Sequence, residues 1–103
     1  MNNMQQILAR AQKLQAKVGD AQKKFETEEF TGTAGSGAVS IVLNGKGEVK
    51  SVSLSKDVVD PEEKDMLEDL ILAALNDAKS RYDTRYAEIM KDATGDINLP
   101  GMF

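Results

Sequence analysis

The sequence predicts a single α+β domain in which an N-terminal helix, a three-stranded antiparallel meander and a long C-terminal helix follow one another. Three observations support this fold class: a seven-residue apolar repeat, alternating apolar residues around an Asn-Gly turn, and a long amphipathic stretch with a helix-capping sequence. We expect one domain over residues 1–103, with a helix at 1–25, strands within 28–54, the long helix at 60–94 and a tail at 95–103.

The first helix is predicted by apolar residues that recur every seven positions. They form two rows that are three positions apart: Met4, Ala11, Val18 and Phe25, followed by Ile7, Leu14 and Ala21. Such a repeat places these residues on one side of a helix and suits contact with another long helix. Covering a globular core explains the same pattern equally well, so both interpretations stay open.

The strands are predicted by alternation and by turn residues. A first strand precedes the glycine-rich turn at 35–37, and a second strand over 38–43 alternates apolar residues on one face. Asn44-Gly45 then indicates a hairpin that returns as a third strand over 48–54. The apolar sheet residues that we expect in the core are Phe30, Val39, Ile41, Leu43, Val52 and Leu54.

The long helix is predicted by a capping sequence: Asp60 as the cap, Pro61 in the first turn and Glu63 three residues after the cap. Gly95 supplies the stop. A helix of roughly 34 residues spans about 50 Å, whereas a compact chain of this length has a radius of gyration of about 13 Å. The far end should therefore project, and its apolar stripe predicts a homodimer. The residues expected to cover the sheet are Leu67, Leu70, Ile71, Ala74 and Leu75.

Composition excludes most familiar enzyme chemistry. The chain has no Cys and no His, which removes disulfides, thiol nucleophiles, ordinary zinc sites and imidazole bases. No apolar run approaches the roughly 18 residues of a membrane span, and the N-terminus lacks the pattern of a signal peptide. We expect a cytoplasmic protein without enzyme activity, cofactor, small-molecule substrate or membrane partner.

Charge is unevenly distributed along the chain. The net charge is -4, but residues 1–25 contain five basic residues and one acidic residue. On a helix, Arg10, Lys13, Lys17 and Lys24 fall within an arc of about 60°, about 110° from the centre of the apolar rows, and extend over about 21 Å. This basic stripe is long enough to pass several phosphates of a nucleic acid, although solvated helix faces often have the same composition.

Two other groups of residues invite a ligand-binding interpretation. The glycines between 32 and 47 suggest a phosphate loop, but Ala38 and Val39 follow Gly37 where a Walker A loop needs Lys and Ser or Thr. The acidic residues near the start of the long helix suggest a divalent cation, but carboxylates there also offset the helix dipole. We therefore interpret the glycines as turn residues and the acids as part of the helix start. These acids are Glu62, Glu63, Asp65, Glu68 and Asp69.

The second helix has cations and acids in alternation, which is typical of a solvated, self-paired surface. The cations are Lys79, Arg81, Arg85 and Lys91, and the acids are Asp77, Asp83, Glu88 and Asp92. Some of these cations can join the basic stripe if the projecting ends of the two helices lie side by side.

Taken together, these segments resemble the bacterial YbaB/EbfC family of nucleoid-associated proteins. Besides the Gln- and Lys-rich first helix, the resemblance rests on Phe30-Thr31-Gly32-Thr33-Ala34-Gly35, Gly37, Asn44-Gly45, Glu48-Val49, Met66-Leu67-Glu68-Asp69-Leu70-Ile71, Ala74, Asn76-Asp77-Ala78, Thr94-Gly95 and Leu99-Pro100-Gly101-Met102-Phe103. It covers essentially the whole chain. The match is most specific in the long helix and at the end of the sequence.

The resemblance implies a tweezer-like homodimer whose paired helices project from a central sheet and bind double-stranded DNA in the nucleoid, affecting its organisation and gene expression. The basic stripe then becomes the expected contact surface, mainly for phosphates and with weak sequence preference. The candidate DNA-binding residues are Arg10, Lys13, Lys17, Lys23, Lys24, Arg81 and Arg85. The alternative function is a chaperone-like adaptor that grips another protein between its helical arms.

Overall fold

The computed structural model describes residues 2–95 and confirms the predicted order of helix, antiparallel meander and long helix. The strands form one sheet in the order β1-β2-β3, with each strand antiparallel to its neighbour. The predicted tail lies outside the described residues except for Gly95. The elements are α1 (Asn2–Glu26), β1 (Glu29–Ala34), β2 (Val39–Asn44), β3 (Val49–Leu54) and α2 (Lys64–Thr94).

The hairpin between β2 and β3 lies where Asn44-Gly45 predicts it and is organised by the Asn44 side chain. Its Oδ1 accepts hydrogen bonds from the backbone N–H of Lys46 at 2.9 Å and of Glu48 at 3.0 Å, and its Nδ2 donates to Glu48 Oε1 at 2.8 Å. The bond from Asn44 lowers the pKa of the Glu48 carboxyl. The positive φ of this turn, 80°, belongs to Gly47 and not to Gly45. Gly45 is needed for another reason, since a Cβ there would collide with the Phe25 carbonyl.

Helix α2 begins at Lys64, four residues later than the predicted start at residue 60. Asp60 caps as expected, because its Oδ1 accepts from the Glu62 N–H at 3.0 Å, but Pro61–Glu63 form a 3₁₀ turn before the α-helix begins at Lys64. At the other end Gly95 takes a φ of 58° and donates its N–H to the Lys91 carbonyl. The predicted stop is therefore confirmed.

The core consists of two clusters along α2. Near the start of α2, Val39 and Ile41 of β2 pack with Ala74 of the helix, and the flanking helix residues that we predicted as cover are half-buried. Further along α2, Phe25 and Phe30 pack with Ile89. Aromatic rings hold this second cluster together: the Phe25 ring centroid lies 5.0 Å from that of Tyr82, 5.3 Å from that of Tyr86 and 5.4 Å from that of Phe30.

The expectation that Val52 and Leu54 are core residues is wrong for the chain by itself. Val52 stands opposite Ile41 and Leu54 opposite Val39, so both lie on the inner face of the sheet. Helix α2 packs on β1 and β2 and leaves this third column uncovered, with Val52 53% and Leu54 39% exposed. The other four predicted sheet residues are buried.

The molecule is elongated, as the length of the second helix predicts. Its principal extents are 74 × 26 × 16 Å and its radius of gyration is 20.1 Å. Helix α1 packs antiparallel on the far half of α2: Phe25 contacts Tyr82, whereas Lys17 lines the same groove as Ala93. The apolar rows of α1 thus serve contact with another long helix. Residues 3–13 of α1 are exposed and extend beyond the end of α2.

Replacement of Gly32 by Ala should destabilise the fold, because the new Cβ would overlap the Ala74 carbonyl and the Ala78 amide of α2. We expect a loss of about 2 kcal/mol or more in the free energy of unfolding, measured by urea denaturation. Gly19→Ala is the matched control: nothing lies within 4 Å of its Cβ position, and Ala in a helix should stabilise by about 1 kcal/mol. Equal free energies of unfolding for the two variants would contradict the close contact between Gly32 and the backbone of α2.

Asp77 on α2 caps the outer edge of β1, and this contact predicts a pH dependence. The backbone N–H of Thr33 donates to Asp77 Oδ2 at 3.0 Å and lowers the pKa of that carboxyl. The contact of the charged Asp77 carboxylate with Thr33 therefore contributes fully to the stability of the fold near neutral pH. This contribution is lost as the pH falls through the lowered pKa of Asp77. Urea denaturation should show a stability gap between wild type and Asp77→Asn that narrows between about pH 5 and pH 2.

The control for this experiment is Asp83→Asn, on an exposed carboxylate that has no hydrogen-bond or ion-pair partner among residues 2–95. Its stability should follow that of wild type across the same pH range. A gap for Asp77→Asn that stays constant with pH would rule out the charge of Asp77 as the source of the stabilisation.

Candidate nucleic-acid interface

The basic stripe lies on an exposed flank of α1. Arg10, Lys13, Lys17 and Lys24 are all exposed, and no acidic side chain of the described chain lies within ion-pair distance of any of them. They belong to one uninterrupted helix, so the stripe extends over about 21 Å. Its cations are therefore available to an external anion.

The inner border of the stripe is the groove between α1 and α2. Lys17 and Lys24 line this groove from α1, and Arg85 lines it from α2. The apolar part of the lining comes from Ala21, Ile89 and Ala93, and the acidic part from Asp20, Glu28 and Asp92. The structure thus brings three of the seven candidate cations together, with carboxylates between them.

Arg85 is the candidate whose charge is most fully compensated. Its Nε donates to Glu28 Oε1 at 3.0 Å and its Nη1 to Glu88 Oε2 at 3.3 Å, and these bonds raise the pKa of the guanidinium. Arg81 pairs with Asp77 at 3.4 Å, four residues before it. The two candidate cations on α2 are therefore engaged within the protein, and two of the ion pairs, Arg81–Asp77 and Arg85–Glu88, lie within α2 itself.

The candidate cations on α1 differ in whether their charge already has a role in stabilising the fold. Lys23 and Lys24 occupy the last turn of α1, where cations offset the negative end of the helix dipole. Lys23 also lies about 110° from the centre of the stripe. Arg10 and Lys13 lie on the exposed part of α1 beyond the end of α2, and Lys17 lies at the edge of the groove. These three cations have no comparable role in the described fold.

Glu28 is the site residue that sequence reasoning missed. It precedes β1 and is separated by 57 residues from Arg85, with which it forms an ion pair. The pairs Asp77–Arg81 and Arg85–Glu88 follow the four- and three-residue spacings of a helix, which are visible in the sequence. The Glu28 contact depends on the antiparallel packing of α1 and α2 and has no local signal.

The described part of the chain offers few groups for chemistry other than charge contact. Within residues 2–95 no three Asp or Glu side chains converge in a way that could hold a metal ion, and no polar or charged side chain is buried. Neither described helix has the length and apolar character needed to cross a membrane. The arrangement is suited to binding an extended anion along the outer flank of α1.

Comparison with known proteins agrees with this geometry. Residues 1–97 match the model of the YbaB/EbfC DNA-binding family. The described fold superposes on the crystal structure of an uncharacterized protein from Helicobacter pylori with a TM-score of 0.75, covering 88% of this chain and 96% of that one. At 20% sequence identity this likeness shows the shared fold alone.

Sequence relatives extend over nearly the whole chain. A nucleoid-associated protein of Granulibacter bethesdensis is 46% identical over 100 residues, which cover 97% of this chain and 94% of that protein. A nucleoid-associated protein of Clostridium kluyveri is 44% identical over 101 residues, which cover 98% and 89% of the two chains. The family match and these relatives show that the chain is a member of the YbaB/EbfC DNA-binding family of nucleoid-associated proteins.

Proposed function

We propose that this protein binds double-stranded DNA as a homodimer, mainly through phosphate contacts of the basic stripe on α1, and thereby affects nucleoid organisation and gene expression. The observation that carries this proposal is the row of cations without acidic partners among the described residues, on a protein whose net charge is -4. Arg10, Lys13 and Lys17 are its central residues. The other candidates, Lys23, Lys24, Arg81 and Arg85, are secondary contacts because the fold already uses their charges.

Phosphate contact is consistent with the length of the stripe and with its position on a single helix. Phosphates follow one another along each DNA strand at about 3.4 Å of helix axis, and each strand winds around the duplex, so a row of about 21 Å can contact several phosphates before the strand turns away. Lys and Arg side chains on one helix flank reach such a row without a shaped pocket. Each neutralised phosphate releases counterions, so affinity should fall steeply as the salt concentration rises.

Sequence preference should be weak. Direct readout needs side chains that reach base edges in a groove, and Asn or Gln can recognise adenine by two hydrogen bonds. On α1 the candidates for this role are Asn3, Gln6 and Gln12, all exposed and none held by a hydrogen bond within the described chain. Because no hydrogen bond within the described chain orients these side chains, we expect them to contact many DNA sequences without selecting one.

A second copy of the chain has an apolar surface on which to pack. Val52 and Leu54 form the uncovered third column of the inner sheet face, next to the buried Ile41 and Val39. Fully burying an exposed Val or Leu stabilises by about 1.5–3 kcal/mol. Because Val52 and Leu54 are already about half buried, each would contribute about half of that value, and a symmetric contact counts each residue twice. Two copies joined here would hold two arms, and therefore two basic stripes, on one particle.

The proposed particle acts as a single-domain, non-enzymatic binding protein in the nucleoid. Residues 1–103 form one unit in this proposal, because α2 contacts α1, β1 and β2 along its length. No cofactor or small-molecule substrate enters the proposed mechanism. In this proposal the basic stripes of both copies contact the same DNA duplex.

The DNA-binding proposal predicts that Arg10→Ala, Lys13→Ala and Lys17→Ala together weaken duplex binding at least about tenfold at low salt. Six phosphate contacts per dimer would be lost, so the slope of log affinity against log salt should become shallower by about 5. Gel-shift or fluorescence-anisotropy titration of one duplex at several salt concentrations measures both quantities.

The matched control removes three exposed cations that lie outside α1: Lys50→Ala, Lys56→Ala and Lys64→Ala. It changes the net charge equally and should retain most of the affinity and the salt slope. Equal losses in the two triple variants would refute a localised interface. Absence of any duplex shift near physiological salt, together with recovery of partner proteins in a nuclease-treated pull-down, would support the adaptor function instead.

The homodimer predicts that Val52→Asp and Leu54→Asp each shift the sedimenting species from twice the chain mass to a single chain mass. A buried, unpaired carboxylate in the interface carries a desolvation cost that the contact cannot offset. Ser53→Asp is the control, because Ser53 stands opposite Ser40 on the other face of the same strand. Sedimentation of wild type as a single chain at micromolar concentration would exclude the proposed assembly.

A further inference from the structure

The apolar rows of α1 are covered along only half of the helix. In the inner half Phe25 is buried, and Ala21, Val18 and Leu14 are half-buried at the junction with α2. In the outer half the same side of the helix is open, with Met4 66%, Ile7 62% and Leu8 56% exposed. Packing stops because α2 ends, while the apolar pattern of α1 continues. We call the exposed outer part, Met4, Ile7, Leu8 and Ala11, the α1 tip seam.

The chain leaves α2 beside the start of the α1 tip seam. Helices α1 and α2 are antiparallel, and Ala93 lines the groove together with Lys17. Thr94 ends the helix, and Gly95 turns the backbone with a φ of 58°. Gly95, the last described residue, is therefore near α1 just inside Leu14, at the point from which the tip seam runs outward.

The sequence of residues 96–103, Asp-Ile-Asn-Leu-Pro-Gly-Met-Phe, complements an apolar surface. Ile97 and Leu99 are two positions apart and share one side of an extended segment, with Asp96 and Asn98 on the other. Pro100 favours an extended conformation at the residue before it. Four residues of extended chain at about 3.3 Å each span about 13 Å, the length of about nine residues of helix, so Leu99 can reach the level of Ile7.

We propose that residues 96–103 dock on the α1 tip seam of their own chain, with Ile97 and Leu99 facing Ala11 and Ile7. The tether favours this occupant, since a short link to a neighbouring point gives an effective concentration in the millimolar range. A helical end of about 12 residues is also marginal in water by itself and gains stability from an apolar cover. In the docked state, the apolar side of the outer part of α1 is covered by residues 96–103 of the same chain.

This contact leaves the basic stripe open and holds it in place. The tip seam lies about 140° around the helix from the centre of the stripe, so a segment on the seam does not cover Arg10 or Lys13. The inference stands on the apolar surface and the chain path. It is independent of whether the stripe binds DNA.

Engineered disulfides test the docking directly, because the chain has no cysteine of its own. In the variant Ile7→Cys with Leu99→Cys, mild oxidation should form an intrachain disulfide, seen as loss of free thiols at single-chain mass. The control is Ala9→Cys with Leu99→Cys: Ala9 is exposed and lies on the opposite side of α1. We expect the first of these two double variants to close its disulfide at least about tenfold more readily in a glutathione redox buffer.

Hydrogen exchange provides a second measurement without added cysteines. Leu99→Asp should accelerate amide exchange at residues 4–11 by about tenfold or more and leave the amides of β2 unchanged. Equal closure of the two cysteine pairs, or unaltered exchange in Leu99→Asp, would overturn the proposal. Disulfides formed mainly between chains would also overturn it, because they would identify a second copy as the occupant of the seam.

Discussion

The contact of Gly32 with the backbone of α2 determines how the rest of the molecule is arranged. With no side chain on Gly32, β1 approaches Ala74 and Ala78 closely and fixes α2 over the first strand. A helix is about 10 Å wide and strands are about 4.8 Å apart, so a helix seated there covers β1 and β2 and falls short of β3. One missing Cβ thus accounts for both the buried columns of the sheet and the open column of Val52 and Leu54.

The position of α1 depends on a second fixed point, Phe25. Its ring lies within about 5.5 Å of the rings of Phe30, Tyr82 and Tyr86, and its carbonyl lies against Gly45 of the hairpin. The end of α1 is therefore held between the sheet and the middle of α2. Because α1 runs outward from this point for 25 residues, its first half extends past the end of α2. The exposed arm is a geometric consequence of where the aromatic cluster lies.

Features with local causes could be predicted from the sequence. The hairpin at Asn44, the cap at Asp60 and the stop at Gly95 each depend on one residue and its near neighbours, and all three were predicted correctly. Alternation identified the inner face of β3, but it does not reveal whether a helix covers that face. This is why Val52 and Leu54 were misassigned to the core. Likewise, the pair of Arg85 with Glu28 required knowledge of helix packing that no local spacing contains.

The distribution of ion pairs gives the molecule a preferred side for an anionic partner. On α2 both arginines are paired with carboxylates of the protein, and Glu28 and Asp92 line the groove beside the stripe. Charges within about 8 Å are only partly screened at physiological ionic strength, so these acids repel a polyanion that approaches through the groove. Among the described residues of α1, Arg10 and Lys13 have no acidic residue within four positions, whereas Lys17 and Lys24 flank Asp20. The cations of the basic stripe attract a polyanion, and the acids of the groove repel it. Together they favour the approach of DNA along the outer flank of α1, with its phosphates beside the helix.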